Sequence, residues 1–76
     1  MKANSPHFNQ ARGTLAERIR TLRSKRGYSQ EHLADKAECH RTYIGMIERK
    51  ISNPSLKLLV ALADALDVGV DELLKR

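Results

Sequence analysis

The sequence SQEHLADKAECHRTYIGMIERK, from Ser29 to Lys50, decides how the rest of the chain is interpreted. Its first half contains Leu33, Ala34 and Ala37 at helical spacing, which predicts a short helix with one small apolar face. Ser29 precedes that pattern and can accept a hydrogen bond from a free backbone N–H of the first turn. A short helix that begins directly after Ser29 is therefore expected.

A second short helix is predicted in the other half of this stretch, where Ile44 and Ile47 form an apolar edge. Residues 38–40, ECH, separate the two helical patterns. Because so short a turn cannot lay two helices side by side, it sets them at a steep angle. This is the geometry of a helix-turn-helix, whose second helix can enter the major groove of DNA.

The segments SQEHLADKA and RTYIGMIERK resemble the helix-turn-helix of the phage-repressor-like DNA-binding domains. The form RTYI…IER resembles in particular the small controller proteins of restriction–modification systems. The resemblance covers roughly Leu15 to Leu74, and the helical segments follow in the expected order. It implies an all-α, five-helix, lambda-repressor-like DNA-binding domain, with the helix-turn-helix at residues 29–50.

Two residues of the turn depart from the pattern of these domains. Glu38 stands where they usually carry glycine, and a left-handed conformation there would cost about 1 kcal/mol or somewhat more. His40 stands where they often carry Ser, Thr or Asp, and it is a poorer N-cap. Both departures concern the stability of the turn more than the fold.

The composition indicates one small, basic domain. The chain has 76 residues, with 14 lysines and arginines against 9 aspartates and glutamates, and its pI is about 9.8. This value exceeds the mark of about 9 that is typical of nucleic-acid-binding domains. One cysteine excludes an internal disulfide framework and suggests a reducing compartment. No apolar run approaches the roughly 18 residues of a membrane span. A cytoplasmic, nucleoid-associated protein without membrane contact is expected.

The N-terminal segment MKANSPHFNQARG, residues 1–13, is polar and rich in turn formers. It is expected to be a flexible tail in front of a domain at residues 14–76. Thr14 begins a capping box, which predicts that the first helix starts there. Gly27 is expected to end this helix in a left-handed conformation. Its buried stripe is predicted to consist of Leu15, Ile19 and Leu22.

Two more helices are predicted after a turn at Asn53 and Pro54. Ser55 caps the first of them, and Gly69 precedes the second. The predicted buried stripe of the fourth helix is Leu56, Leu59, Leu62, Ala63 and Leu66. The last helix carries Val70, Leu73 and Leu74, which exceed what so thin a helix can bury. Part of this surface is therefore expected to form a homodimer interface about a two-fold axis, through Leu66, Val70, Leu73 and Leu74.

The resemblance also implies roles for single residues of the helix-turn-helix. Gln30, the first residue of its helix, would bond a DNA phosphate. Arg41 and Thr42 would face base edges in the major groove, and Arg41, expected opposite the two isoleucines, has a fork that matches guanine O6 and N7. Tyr43 would touch the DNA backbone or pack beside it.

The remaining predicted contacts lie farther along the second helix. Met46, one turn after Thr42, would face the groove and could meet a thymine methyl group. Arg49 and Lys50 lie near the helix end and suit phosphates. The full predicted DNA-binding set is Gln30, His40, Arg41, Thr42, Tyr43, Met46, Arg49 and Lys50. The resembling repressors also pair an arginine late in helix 1 with a glutamate late in the recognition helix, and the matching residues are Arg23 and Glu48.

Enzyme and metal chemistry find little support in the sequence. His7, His32, His40 and Cys39 lack paired cysteines and an HxxxH spacing, so no metal site is predicted. Adjacent residues on a turn point apart, which argues against Cys39 and His40 as a nucleophile pair. No cofactor motif is present.

The function expected is that of a transcriptional regulator. It would bind a specific, palindromic operator in double-stranded DNA as a homodimer, and a restriction–modification controller protein is one form of it. Two alternatives stay open. One is an antitoxin that also holds a toxin. The other is a protein-interaction module without a specific DNA site.

Overall fold

The computed structural model describes residues 5–76, and in that range it contains five α-helices and no strand. The helices are α1 (Pro6–Lys25), α2 (Gln30–Ala37), α3 (Arg41–Glu48), α4 (Leu56–Ala65) and α5 (Val70–Leu73). The predicted all-α, five-helix class is confirmed, and α2 and α3 are the two helices of the expected helix-turn-helix. None of these helices is both long and apolar enough to cross a membrane.

Helix α1 begins earlier than the sequence pattern indicates, at Pro6 instead of Thr14. Ser5 is its N-cap and accepts a hydrogen bond from the backbone N–H of Phe8 at 3.1 Å. Proline at the first helical position suits a helix start, because its missing N–H would be unpaired there in any case. The predicted capping box at Thr14 is therefore wrong, since Thr14 lies inside the helix. The predicted flexible tail is wrong for residues 6–13, and residues 1–4 lie outside the described part of the chain.

Left-handed residues end α1 and α2 as expected. Gly27 has φ +69°, and Glu38 has φ 55° and ψ 45°. After Glu38, the backbone N–H of Cys39 returns to the carbonyl oxygen of Ala34 at 2.9 Å. That bond satisfies a carbonyl at the open end of α2 and turns the chain towards α3.

The predicted helix starts at α2, α4 and α5 are also present. The Ser29 hydroxyl oxygen accepts from the backbone N–H of His32 at 2.9 Å, and Ser55 accepts from that of Leu58 at 3.1 Å. Gly69 is the N-cap of α5. Capping by a serine hydroxyl therefore sets where α2 and α4 begin, whereas Gly69 provides no side-chain hydrogen bond to α5.

The core is aliphatic and collects side chains from all five helices. Its buried residues are Leu15, Ile19, Leu22, Leu33, Ala34, Ala37, Ile44, Ile47, Leu62, Ala63, Leu66 and Leu73. One member of the predicted α4 stripe is misplaced, because Leu56 is 70% exposed. Leu56 is the first residue of α4 and lies on its solvent side, while Leu62, Ala63 and Leu66 face the core.

Burial of α5 removes half of the predicted dimer surface. Leu66 and Leu73 are completely buried within the single chain, so neither is available to a second copy. Val70 is half-buried, and only Leu74 is exposed. The prediction failed because α5 packs against both α1 and α4 of its own chain. Arg18 of α1 reinforces this packing, since its Nε donates to the Glu72 carbonyl oxygen at 2.9 Å.

Candidate nucleic-acid interface

Helix α3 has one buried face and one open face. Ile44 and Ile47 are buried against the core, and Glu48 is only 6% exposed. Successive residues of a helix are about 100° apart around its axis, so Thr42 lies opposite the two isoleucines. Arg41 lies about a quarter turn from Thr42, on the side of α2. The expectation that Arg41 itself stands opposite the isoleucines is therefore corrected, although its side chain is exposed.

A shallow depression lies between the start of α2 and the open face of α3. We call it the α2–α3 depression. Six residues line it: Gln30, His40, Arg41, Thr42, Gly45 and Arg49. It brings together five of the eight residues of the predicted DNA-binding set. It contains two arginines and no acidic residue, so its potential is positive and favours an anionic strand.

His40 has a structural role at the edge of this depression. As the N-cap of α3, it accepts a hydrogen bond from the backbone N–H of Thr42 through its own Nδ1, at 3.1 Å. In neutral imidazole this places the proton on the exposed Nε2, which is then a hydrogen-bond donor. His40 thus replaces the oxygen of a Ser, Thr or Asp cap with a ring nitrogen.

Tyr43 and Met46 lie on the other side of α3. Both line a mostly apolar cleft between α3 and α4, together with Cys39, Pro54 and Leu58. Tyr43 is half exposed, whereas Met46 is partly buried. The predicted contacts of α3 are therefore divided between a cationic side at α2 and an apolar side at α4.

Lys50 lies just beyond α3 and ends it. Its φ of 64° is left-handed, and the backbone N–H of Ile51 returns to the carbonyl oxygen of Met46 at 3.1 Å. The Lys50 side chain is exposed. It therefore stands at the end of the recognition helix, where the sequence placed it.

The buried carboxylate of Glu48 holds α3 against α1 and α2. Arg23 donates to it through Nε at 2.8 Å and through Nη2 at 3.1 Å, so the structure brings the expected ion pair together in a two-point contact. Gln30 donates to the same carboxylate through Nε2 at 3.2 Å. A charge this deeply buried is tolerated only when it is paired and hydrogen-bonded, and both conditions are met here.

Arg20 is a fourth member of this network. Its Nη2 donates to the Glu48 carbonyl oxygen at 3.1 Å, and its Nε lies 3.5 Å from Glu48 Oε1. The cation also suits the negative C-terminal end of the α3 dipole. The sequence contained a signal for it, because Arg20 and Arg23 are three residues apart and so share one face of α1.

The Glu48 network also sets the ionisation of its carboxyl group. Burial alone raises the pKa of Glu48, but hydrogen bonds from Arg23 and Gln30 and the charges of Arg23 and Arg20 outweigh it. The pKa is therefore below its usual range, and the group is ionised at neutral pH. Arg23 extends the network further, because its Nη1 donates to the Tyr28 carbonyl oxygen at 2.9 Å and so fixes the turn before α2.

The structure offers no arrangement for metal chemistry among residues 5–76. No group of three or more His, Cys, Asp or Glu side chains in that range is placed to hold an ion. Cys39 is half-buried in the α3–α4 cleft, and burial raises the pKa of its thiol. A thiol with a raised pKa is a poor nucleophile at neutral pH.

Comparison with known proteins identifies the family. The helix-turn-helix family HTH_3 matches residues 19–73, which include α2 to α5 and the C-terminal part of α1. The chain belongs to this family. The control protein C.SmaI of Serratia marcescens is 45% identical over 69 residues, covering 91% of this chain and 82% of that protein.

Two solved structures of HTH_3-like proteins are similar in fold. The restriction–modification controller protein C.AhdI of Aeromonas hydrophila has a TM-score of 0.78 and 40% identity, covering 82% of this chain and 94% of that one. The biofilm regulator SinR in complex with DNA has a TM-score of 0.76 and 39% identity, covering 80% of this chain and 98% of that one.

These relatives confirm the predicted class for this HTH_3 domain, a helix-turn-helix regulator related to restriction–modification controller proteins and repressors. Among them are a control protein, an immunity repressor and an HTH-type transcriptional regulator. Two features of the HTH_3 domain had not been anticipated. They are the contacts of Gln30 and Arg20 with Glu48, and the presence of Gly45 in the α2–α3 depression.

Proposed function

We propose that this HTH_3 domain is a transcriptional regulator that binds a specific, palindromic operator as a homodimer. The observation that carries the proposal is the open face of α3. Its exposed arginines flank the α2–α3 depression, while its inner face is locked to α1 through the Glu48 carboxylate. A rigid helix that presents cationic and hydrogen-bonding side chains is suited to the DNA major groove.

Different residues of this surface would perform different tasks. Arg41 and Thr42, in the first turn of α3, are the candidates for contacts with base edges. Gln30, at the N-terminus of α2, together with His40 and Arg49, would contact phosphates, which position the protein but carry no sequence information. The Nε2 of Gln30 already donates to Glu48, so Gln30 connects the phosphate contact to the buried network.

The outer residues on the α4 side complete the proposed contact. Met46 and Tyr43 offer apolar surface to thymine methyl groups and to sugars, and Lys50 offers a charge at the far end of α3. A regulator of this kind acts at the nucleoid. Because this chain matches most of the length of the control protein C.SmaI and of the restriction–modification controller protein C.AhdI, we further propose that the target genes belong to a restriction–modification system.

Selection of bound duplexes from a random pool, followed by titration at several salt concentrations, tests the DNA-binding proposal. We expect one enriched sequence with two inverted half-sites. Arg41→Ala should flatten the preference at one base pair of each half-site, a loss of roughly 1–3 kcal/mol of discrimination. Arg49→Ala should weaken all sequences alike and reduce the salt slope by about one unit.

Each arginine variant serves as the control for the other, once circular dichroism has shown both to be folded. If Arg41→Ala retains every base preference and loses only salt-dependent affinity, Arg41 contacts the backbone. If no duplex is enriched above random DNA, the specific-operator proposal fails, and a protein-interaction module becomes the better account.

The homodimer proposal now rests on α4 and the loop before it. Three large apolar side chains remain exposed there: Ile51 at 56%, Leu56 at 70% and Val60 at 40%. Leu56 and Val60 are four residues apart and lie on one face of α4. Exposed apolar residues that cluster in this way are typical of interfaces.

Charges around this α4 patch favour a second copy as its occupant. Lys57 and Asp64 are both exposed, and they lie on either side of Val60 along α4. If two α4 helices pack antiparallel about a two-fold axis at Val60, Lys57 of one copy approaches Asp64 of the partner subunit. The patch is then self-complementary, as an isologous interface requires. Two recognition helices about 34 Å apart would match a palindrome.

Charge reversal tests this arrangement by sedimentation equilibrium. Lys57→Asp and Asp64→Lys should each shift the protein towards monomer, because each places like charges opposite one another. The double variant should restore the dimer, since both pairs are then opposite in sign. A double variant that remains monomeric would exclude the antiparallel α4 contact. Leu74→Asp tests the α5 surface separately. If only this variant loses the dimer, the interface lies on α5 instead of α4.

A further inference from the structure

Gly45 occupies the middle of the recognition helix, inside the α2–α3 depression. Arg41 precedes it by four residues and Arg49 follows it by four, so the three residues form one row along α3. The row therefore presents two cations with a gap between them. Gln30, at the start of α2, stands beside the gap.

The free protein has no steric need for glycine at this position. A Cβ built at residue 45 would meet only Gln30 Oε1, at 4.0 Å, which is ordinary van der Waals contact. Its φ is not in the left-handed region that favours glycine. Glycine inside a helix is destabilising relative to alanine, since it loses more backbone freedom on folding. Gly45 thus costs the domain stability without serving its packing.

Gly13, in the middle of α1, provides a comparison. A Cβ there would meet nothing within 4 Å. Its neighbours four residues away along the helix are Asn9 and Glu17, neither of which is a cation. The depression that it lines mixes the acidic Glu17 and Glu72 with three basic residues, Arg18, Lys75 and Arg76. Gly13 is therefore also free in steric terms, but it does not lie between two cations on its helix, as Gly45 does.

We infer that the missing side chain of Gly45 leaves room for the sugar–phosphate backbone of bound DNA, which makes Gly45 a determinant of binding. This inference rests on the proposed function and adds a residue to it. A DNA strand passing between the N-terminus of α2 and the middle of α3 would meet the positive end of a helix dipole and two flanking arginines. Glycine permits the close approach of another backbone. Any larger side chain would hold the sugar–phosphate backbone away from Arg49 and from the N-terminus of α2.

The experiment compares Gly45→Ala with Gly13→Ala as a matched control. Both substitutions should raise the melting temperature by about 2–8 °C, because both remove a helix glycine without a clash. Only Gly45→Ala should lose DNA affinity, by about tenfold. The loss should be equal for the selected operator and for random duplex, because a backbone contact reads no sequence. Gly45→Leu should lose more than Gly45→Ala.

The outcomes separate this inference from the proposed function. Wild-type protein that binds no DNA overturns both. Wild-type protein that binds a selected operator, with Gly45→Ala and Gly45→Leu binding equally well, overturns only the role of Gly45. A fall in melting temperature for Gly45→Ala would also overturn it, because glycine would then be required by the fold itself.

Discussion

The Nε of Arg23 lies 2.8 Å from Oε2 of Glu48, and the side chain of Glu48 is only 4% exposed. This pair joins the long helix α1 to the last residue of the recognition helix. Removing one partner of a buried pair leaves an uncompensated charge, so Glu48→Ala and Arg23→Ala should each cost of order 3 kcal/mol of unfolding free energy. Thermal melting of both variants measures this.

Arg20 provides the control for that measurement. Its side chain is 54% exposed, so its ion pair with Glu48 is screened by solvent. Arg20→Ala should therefore lower the melting temperature much less than Arg23→Ala. An equal fall in melting temperature for the two arginine variants, or no fall for Glu48→Ala, would contradict a stabilising role for the Arg23–Glu48 pair.

The Glu48 carboxylate should make the free energy of unfolding depend on pH. The pKa of Glu48 is lowered in the folded protein, so its stabilising effect is complete above its unfolded value of about 4.3. It is lost as the pH falls through the lower, folded value. Melting curves of wild type and Glu48→Gln should therefore differ most at neutral pH and converge only as the pH falls through the lower, folded pKa. A constant difference across this range would show that Glu48 is not the group responsible.

Adjacent leucines in α5 and just after it should respond very differently to truncation. Leu73 is completely buried, so Leu73→Ala should lower the free energy of unfolding by about 2–5 kcal/mol. Leu74 is 44% exposed, and Leu74→Ala should cost much less. Denaturant unfolding of the two variants measures the difference. Similar losses would mean that α5 does not pack as described.

The turn between α2 and α3 should become more stable with glycine at its left-handed residue. Glu38 has φ 55°, a conformation that costs a residue with a Cβ roughly 1–2 kcal/mol. Glu38→Gly should raise the melting temperature, although the greater freedom of glycine in the unfolded chain offsets part of the gain. Gly27→Ala, at φ +69°, is the reverse change and should lower it. A lower melting temperature for Glu38→Gly would refute the assignment of strain.

Local signals account for most of what the sequence predicted correctly. The starts of α2 and α4 follow from one serine each, and the left-handed ends follow from Gly27 and from the position of Glu38. The start of α1 was missed although Ser5 and Pro6 mark it, because Gly13 and the polar composition suggested a break. A single helix glycine lowers helix propensity, but here it is tolerated in a 20-residue helix.

Features that depend on how helices cross were only partly predictable from spacing, which places Arg20 on the same face of α1 as Arg23 but does not give its contact with Glu48. The contacts of Gln30 and Arg20 with Glu48 exist because α2 and α1 both pack against α3. The burial of Leu66 and Leu73 likewise depends on where α5 lies. Five of the eight predicted DNA-binding residues lie together in the α2–α3 depression, but the division of the set between this depression and the α3–α4 cleft was not predicted.

The recognition helix has only eight residues, and that shortness has a consequence for how such a protein changes over evolutionary time. A peptide of this length is not helical in water, so α3 owes its shape to three inward residues, Ile44, Ile47 and Glu48. The outward residues contribute little to that shape. Under the proposed function, mutation can therefore alter the preferred operator one side chain at a time, while the domain continues to fold. Fold and target preference are in this way inherited through separate sets of positions on the same two turns of helix.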